Sequence, residues 1–220
     1  MNKFSLIITA GGTSSRYGSA NKLLEKLCKK TVIEVTVSKF LDYDEINEII
    51  IPTNIEIIDN LKKIFLSNKI QIICGGKSRQ ESVYNALQHV NNEYVIIHDG
   101  ARPLIDKAVI SEVIKQLPLL KAISVMVKTT DTIKEVDESG KIICTIDRAK
   151  LYNTQTPQAF ETSLIKVAHE SLKDKTYTDD SSMLEELGYT VHMIEGNYNN
   201  IKITTKNDLD FAEIIVNQHD

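Results

Sequence analysis

Short apolar runs recur along the first 128 residues, separated by stretches whose apolar positions fall at helical spacing. Residues 4–10 (FSLIITA) are apolar nearly throughout, as a strand buried on both faces requires. Strand-like runs follow at INEIIIP (46–52), KIQIIC (69–74), EYVIIH (93–98) and AISVMVK (122–128). Between them, Thr31 is placed to cap a helix reaching about Asp42, with Val32, Val35 and Phe40 among its apolar positions. Residues 55–66 and 108–117 also read as helices, and another, containing Val83, Ala86, Leu87 and Val90, follows the turn GGKSR. Alternating strands and helices predict an α/β fold, with a Rossmann-like, mainly parallel sheet sandwiched by helices.

The rhythm breaks between residues 129 and 155. There DTIKEV and KIICTID flank the turn-like tetrapeptide DESG, which predicts a β-hairpin arm projecting from the main sheet. An isolated two-stranded ribbon is marginal in water, so the arm is expected to pack on something, such as a second copy of the chain. Beyond it the pattern predicts a helix near 161–172, another after Thr178, a strand at TVHMIE (190–195) and a final helix capped near Asn207. No repeat, low-complexity tract or linker divides residues 1–220, which read as one domain including the arm.

In such sheets ligands sit beyond the carboxyl ends of strands. Three strand ends lead into unusual sequences: GGTSSRYG, GGKSRQES and DGARP. The first is neither a G-x-G-x-x-G fingerprint nor a Walker loop. Gly11 and Gly12 permit close backbone approach, while Arg16 and Lys22 add positive charge. The turn is either a solvated loop or a phosphate cradle, and its place after the first strand favours a triphosphate. The second turn either holds a base or sugar or is an ordinary connection with Ser78 as helix cap. Asp99 offers a carboxylate suited to Mg²⁺, which needs one or two protein oxygens when phosphates fill its other positions. Alternatively, Asp99 caps the next helix or pairs with Arg102. His98 reads as a packed histidine without a chemical role, Thr178 or Asp179 as a helix cap, and Lys202 as a lysine in an extended stretch.

Composition narrows the partners. With 42% apolar and 25% charged residues the chain is not of disordered type. A net charge of −4 lacks the footprint of a nucleic-acid binder, so an anionic ligand must be held by a local cluster of cations. Cys28, Cys74 and Cys144 are far apart and lack C-x-x-C spacing, as expected of reduced, mostly packed thiols in a cytoplasmic protein. No stretch approaches the ~20 apolar residues of a membrane span.

Taken in order, the motifs carry a resemblance. AGG-x-x-x-R at 10–16, Lys22, GG-x-x-R-x-x-SV at 75–83, HDGARP at 98–103 and DTIK at 131–134 are followed by DR at 147–148. QTPQ-x-F at 155–160, TDD-S at 178–181 and NIKITT at 200–205 complete the series. Across nearly its full length the chain resembles the 2-C-methyl-D-erythritol 4-phosphate cytidylyltransferases of isoprenoid precursor synthesis. It departs from their pattern at Ser14, Tyr17, Asn21, Leu23, Lys77 and Gly100.

The resemblance implies transfer of a cytidylyl group from CTP to a polyol phosphate, with Mg²⁺ and release of pyrophosphate. Arg16 and Lys22 would clamp the triphosphate. Ala10, Gly11, Gly12, Gly76 and Ser82 would bind the nucleotide, and Asp99 the metal. Thr132 and Arg148 would hold the acceptor phosphate, with the hairpin reaching into the neighbouring subunit of a homodimer. Thr156 and Lys202 would complete the site, supported by Arg102 and Thr178. A phosphate monoester has its second pKa near 6, so the acceptor is already an effective nucleophile and no Ser–His or Cys–His base is needed. The closest rival is a ribitol-5-phosphate cytidylyltransferase. HDGARP, with alanine just before Arg-Pro, and the compact length favour methylerythritol phosphate. A non-catalytic nucleotide-binding module would have no need of transition-state cations at Arg16, Lys22, Arg148 and Lys202.

Overall fold

Residues Phe4–Thr9 form strand β1 inside the main sheet. Leu6 and Ile8 enter one apolar cluster and Ile7 the other, and all three are completely buried. Each gains about 1.5–3 kcal/mol by leaving water, which is why the run is apolar at successive positions. The computed structural model describes residues 2–12, 17 and 21–218. Arg16, expected to clamp the triphosphate, lies outside the described residues.

A two-residue hairpin, β2 (Lys26–Leu27) and β3 (Lys30–Thr31), leads into helix α1 (Val32–Ser38). Thr31 caps α1 as expected, in a capping box with Glu34. The helix ends at Ser38 rather than near Asp42 because its last turn tightens, Lys39 and Phe40 donating to the carbonyls of Thr36 and Val37. The alternation then continues through β4 (Ile46–Thr53), α2 (Ile55–Ile64), β5 (Ile70–Cys74) and α3 (Arg79–Leu87). It runs on through β6 (Tyr94–Asp99), α4 (Lys107–Leu120) and β7 (Ala122–Lys128). After the ribbon β8 (Ile133–Val136) and β9 (Ile142–Ile146) come β10 (Tyr152–Glu161), α5 (Thr162–Ser171), α6 (Ser181–Glu186), β11 (His192–Glu195) and α7 (Lys206–Asn217).

The seven-stranded sheet has the order β11-β7-β10-β6-β1-β4-β5. All its neighbours are parallel except β10, which runs antiparallel to both β6 and β7. The expected mainly parallel α/β sheet is therefore present. Residues of α1, α2 and α4 join Leu6 and Ile8 in one cluster, and residues of α3, α5 and α6 join Ile7 in the other. From β1 the chain winds outward through β4 and β5, then returns to place β6 on the other side of β1. The winding reverses between β1 and β6, where the fold leaves a crevice at the strands' carboxyl ends. Thr9 and Asp99 face each other in register at that point.

The ribbon β8–β9 forms its own two-stranded sheet. Its turn is closed by the Asp137 carboxylate, which accepts from the Ser139 and Lys141 amides at 2.9 and 3.0 Å, and Gly140 supplies a φ of +85°. Val136, Ile142 and Ile143 lie exposed on it. The arm is shorter than residues 129–155, because β10 enters the main sheet at Tyr152. Three further expectations shift. The last helix, expected to be capped near Asn207, has its cap two residues earlier, at Thr205, in a capping box with Asp208. The N-cap of α6 is Asp180, not Thr178 or Asp179, although Asp179 accepts the Ser182 amide at 3.3 Å. Lys202 belongs to no strand: it precedes Ile203, whose amide donates to the Ala101 carbonyl at 2.8 Å. The three cysteines are free, but exposed rather than packed. Cys28 occupies a turn at φ 57°, Cys74 ends the edge strand β5, and Cys144 is on the ribbon. Among the described residues no helix is long and apolar enough to cross a membrane.

Candidate active site

Asp99 ends β6, a strand buried along its whole length, and its carboxylate is only 7% exposed. Burying a carboxylate costs several kcal/mol unless opposite charge surrounds it. Here three cations converge. Arg79, from the first turn of α3, approaches Oδ1 at 3.3 Å; Arg102 reaches Oδ2 at 3.4 Å and Lys202 reaches it at 2.8 Å. The Thr9 hydroxyl donates to Oδ1 at 3.3 Å. Burial alone would push the Asp99 carboxyl up, but Arg79, Lys202 and Arg102 hold it far below the usual carboxylate range. The carboxylate thus keeps a negative charge that its burial alone would disfavour, because Arg79 and Lys202 reach it from distant parts of the sequence and Arg102 from three residues away.

Backbone and amide contacts fix the cations. Arg102 Nη1 donates to the Asn200 carbonyl at 2.7 Å, and the buried Asn200 amide donates to Gln155 Oε1 and to the Thr156 carbonyl at 3.1 and 2.8 Å. Between Thr154 and Gln158 the register of β10 against β7 slips, and within that break the Thr156 hydroxyl accepts the Asp99 amide at 3.0 Å. The same hydroxyl lies 3.1 Å from His98 Nδ1, whose other ring nitrogen is 3.1 Å from the Arg102 carbonyl. Burial pushes His98 down to about 4, so at neutral pH it is an uncharged spacer between β6 and β10. A cleft of about 300 Å³ opens here. Its walls include Asp99, Arg102, Thr156, Thr178 and Lys202, joined by Arg79, Gln155, Gln158 and Asp179.

The two glycine turns meet at Ser82. Its hydroxyl accepts the Gly76 amide at 2.9 Å and donates to the Ser78 carbonyl at 2.8 Å. A Cβ on Gly11 or Gly75 would come within 2.9 or 2.8 Å of that oxygen, and one on Gly76 would overlap the Glu81 side chain at 2.3 Å. Glycine is therefore needed for the turns to pack together, while a Cβ on Gly12 would meet nothing within 4 Å among the described residues. Ala10 bridges to Thr53 and is buried at the root of the first loop. Lys22 is partly buried at the start of a turn that Asn21 closes by accepting the Leu23 and Leu24 amides.

Five expected residues thus come together in one cleft: Asp99, Arg102, Thr156, Thr178 and Lys202. The expected pairing of Asp99 with Arg102 is real, but it is one of three. Thr132 and Arg148 are not in that cleft. Thr132 is exposed just before β8, and Arg148 lines a separate hollow with Lys128, Thr129, Thr130 and Asp147, donating to the Thr130 carbonyl. The sequence reading gave no site role to Arg79, Gln155 and Gln158 and took Asp179 only for a candidate helix cap, although each lies inside a quoted motif. The missing signal was spatial: Arg79 reads as the end of a glycine turn until α3 aims it at Asp99.

Among the described residues no three His, Cys, Asp or Glu side chains cluster as a metal centre. Asp99 fits a divalent cation only as one oxygen donor beside substrate phosphates, since Lys202 competes for Oδ2.

The model of the 2-C-methyl-D-erythritol 4-phosphate cytidylyltransferase family matches residues 4–218. A relative of that name from Caldanaerobacter subterraneus subsp. tengcongensis is 40% identical over 225 aligned residues, covering 98% of this chain and 99% of its own. One from Clostridioides difficile is 40% identical, covering 97% and 94%. The crystal structure of 4-diphosphocytidyl-2C-methyl-D-erythritol synthase from Anaerococcus prevotii superposes with a TM-score of 0.87 at 30% identity, covering 98% of this chain and 96% of that one. The Thermus thermophilus cytidylyltransferase superposes at 0.83 with 26% identity, covering 99% and 100%. By its sequence, its fold and the end-to-end extent of both matches, the chain belongs to the 2-C-methyl-D-erythritol 4-phosphate cytidylyltransferase family.

Proposed function

We propose that the cleft at the carboxyl ends of β1 and β6 transfers a cytidylyl group from CTP to 2-C-methyl-D-erythritol 4-phosphate. The observation that carries the site assignment is the convergence of Arg79, Arg102 and Lys202 on Asp99. An oxygen of the acceptor phosphate bonds to the α-phosphorus of CTP. The bond from that phosphorus to the bridging oxygen breaks, and pyrophosphate leaves with the electron pair. No proton need move, because the acceptor's second pKa is about 6. The barrier is the approach of two anions and the charge that builds on the α-phosphoryl oxygens, both relieved by preorganised cations.

Lys202 serves the α-phosphoryl oxygens and the incoming phosphate, with Arg102, Thr156 and Thr178 on the acceptor side. Ala10, Gly11 and Gly12 present backbone to the triphosphate, Arg16 and Lys22 clamp it, and Gly76 with Ser82 receives the cytidine. Mg²⁺, held by Asp99 and substrate phosphates, would neutralise triphosphate charge. Thr132 and Arg148 come from a second copy: the exposed Val136, Ile142 and Ile143 of the ribbon need cover, and the ribbon's base lies outside its own chain's Asp99 cleft. The chain accordingly works as a homodimer in the cytoplasm.

The test is pyrophosphate release from CTP with methylerythritol phosphate or ribitol 5-phosphate, with Mg²⁺ or with chelator. Turnover with methylerythritol phosphate and Mg²⁺ is expected. Turnover with ribitol 5-phosphate alone would overturn the acceptor assignment, and undiminished turnover in chelator the metal.

A further inference from the structure

Arg79 touches two buried carboxylates at once. Its Nε faces Asp99 Oδ1 at 3.3 Å, and its Nη1 lies 2.7 Å from Asp180 Oδ2. Asp180, at the head of α6, is in turn 3.3 Å from His169 Nε2 through its other oxygen, and both side chains are 1% exposed. The Asp180 amide donates to Gln158 Oε1 at 3.0 Å, tying this end of α6 to β10. Yet among the described residues neither His169 Nε2 nor Asp180 Oδ2 makes an aligned hydrogen bond. Burial would raise the Asp180 carboxyl, but the close Arg79 guanidinium, and after it His169, hold it below its ordinary value.

Such an arrangement is a poor way to stabilise a core, since apolar residues of similar volume do as well or better. It is a good way to fix a guanidinium. Arg79 is 27% exposed at the cleft and has a long, flexible side chain; among the described residues, without Asp180 only Asp99 would orient it. We propose that His169, Asp180 and Arg79 are positioning residues for cytidylyl transfer. His169 seats Asp180, Asp180 seats Arg79, and Arg79 fixes Asp99, which sets where the Lys202 ammonium rests. None of the three need touch a substrate. The inference rests on the role given above to Lys202, and its test separates the two.

The test compares kcat and KM for CTP in the wild type, Asp180→Asn, His169→Gln, Lys202→Arg and the two doubles combining Lys202→Arg with each of the other variants. Melting temperature and circular dichroism serve as checks on folding. An inactive wild type, or an unimpaired Lys202→Arg, would refute the function or the role of Lys202. Given an active wild type and an impaired Lys202→Arg, Asp180→Asn is expected to lower kcat by about 10- to 100-fold, the range typical of groups that orient a ligand-bearing residue, with little change in KM. His169→Gln should lower kcat by a smaller factor. Asp180 and Lys202 do not touch, so in the Lys202→Arg background the Asp180→Asn factor should shrink, because the group it positions is already misplaced. A folded Asp180→Asn enzyme with kcat within about twofold of wild type would overturn the proposal, as would an equal factor in both backgrounds. If Asp180→Asn does not fold, His169→Gln carries the same cycle: a kcat factor that shrinks supports the relay, and one that is absent or unchanged overturns it.

Discussion

Replacing Asp99 by asparagine removes the shared counter-ion of three cations while keeping the side chain's shape. The three lose it unequally. Arg79 retains Asp180 at 2.7 Å, and Lys202, 39% exposed, can turn toward water. Arg102, 12% exposed, keeps among the described residues only the Asn200 carbonyl. The substitution therefore strands about one buried charge rather than three. Removing one partner of a buried ion pair costs ~3–5 kcal/mol, and these compensations place the loss at the lower end, about 3 kcal/mol. For a chain of this size that lowers the melting temperature by about 6–12 °C.

The pH dependence gives a second check. Although burial would raise it, the folded Asp99 carboxyl is held far below its ordinary value by Arg79, Lys202 and Arg102. Its contribution is complete above the unfolded value of about 3.9 and disappears as pH falls below that toward the folded value. Differential scanning fluorimetry of wild type and Asp99→Asn from neutral to acid pH should show a constant difference down to about pH 5, narrowing only below about pH 4. Equal melting temperatures near neutrality, or a difference that vanishes between about pH 7 and 5, would refute the electrostatic account of this carboxylate.

Arg148→Ala should raise KM for the acceptor with little effect on KM for CTP. If the arm serves the neighbouring subunit, mixing Arg148→Ala with Lys202→Ala chains should restore activity, and an unchanged acceptor KM or failed complementation would remove that role. Gly76→Ala forces a Cβ into Glu81 at 2.3 Å and disturbs the turn pinned by Ser82. KM for CTP should therefore rise with little loss of folding, and calorimetric CTP affinity equal to wild type would refute a nucleotide role for this turn.

The sheet was legible because its signal is local. A central strand buried on both faces must be apolar at successive positions, and Leu6, Ile7 and Ile8 in β1 and Val95, Ile96 and Ile97 in β6 are, all completely buried. Caps were legible where a side chain serves the helix beside it, as Thr31 does. They were misread where it serves something distant: Asp180 turns its carboxylate to Arg79 and His169, and its neighbour Asp179 reaches the Ser182 amide instead. The cysteines were misplaced for a related reason, since apolar neighbours in sequence do not report that β5 is an edge strand or that the ribbon stands clear of the sheet. For the site, sequence supplied residues that share a motif with an obvious feature. It could not supply Arg79 as a bridge between Asp99 and Asp180, because that bridge exists only after α3, β6 and α6 have packed.

The central claim is that cations assembled around Asp99 stabilise the transition state of phosphoryl transfer, and kcat of Lys202→Ala tests it most directly. With CTP, methylerythritol phosphate and Mg²⁺ at saturation, the folded variant should lose about 10²–10³ in kcat, the effect of removing one preorganised donor from developing oxyanion charge. A folded Lys202→Ala enzyme turning over within about threefold of wild type would contradict the account.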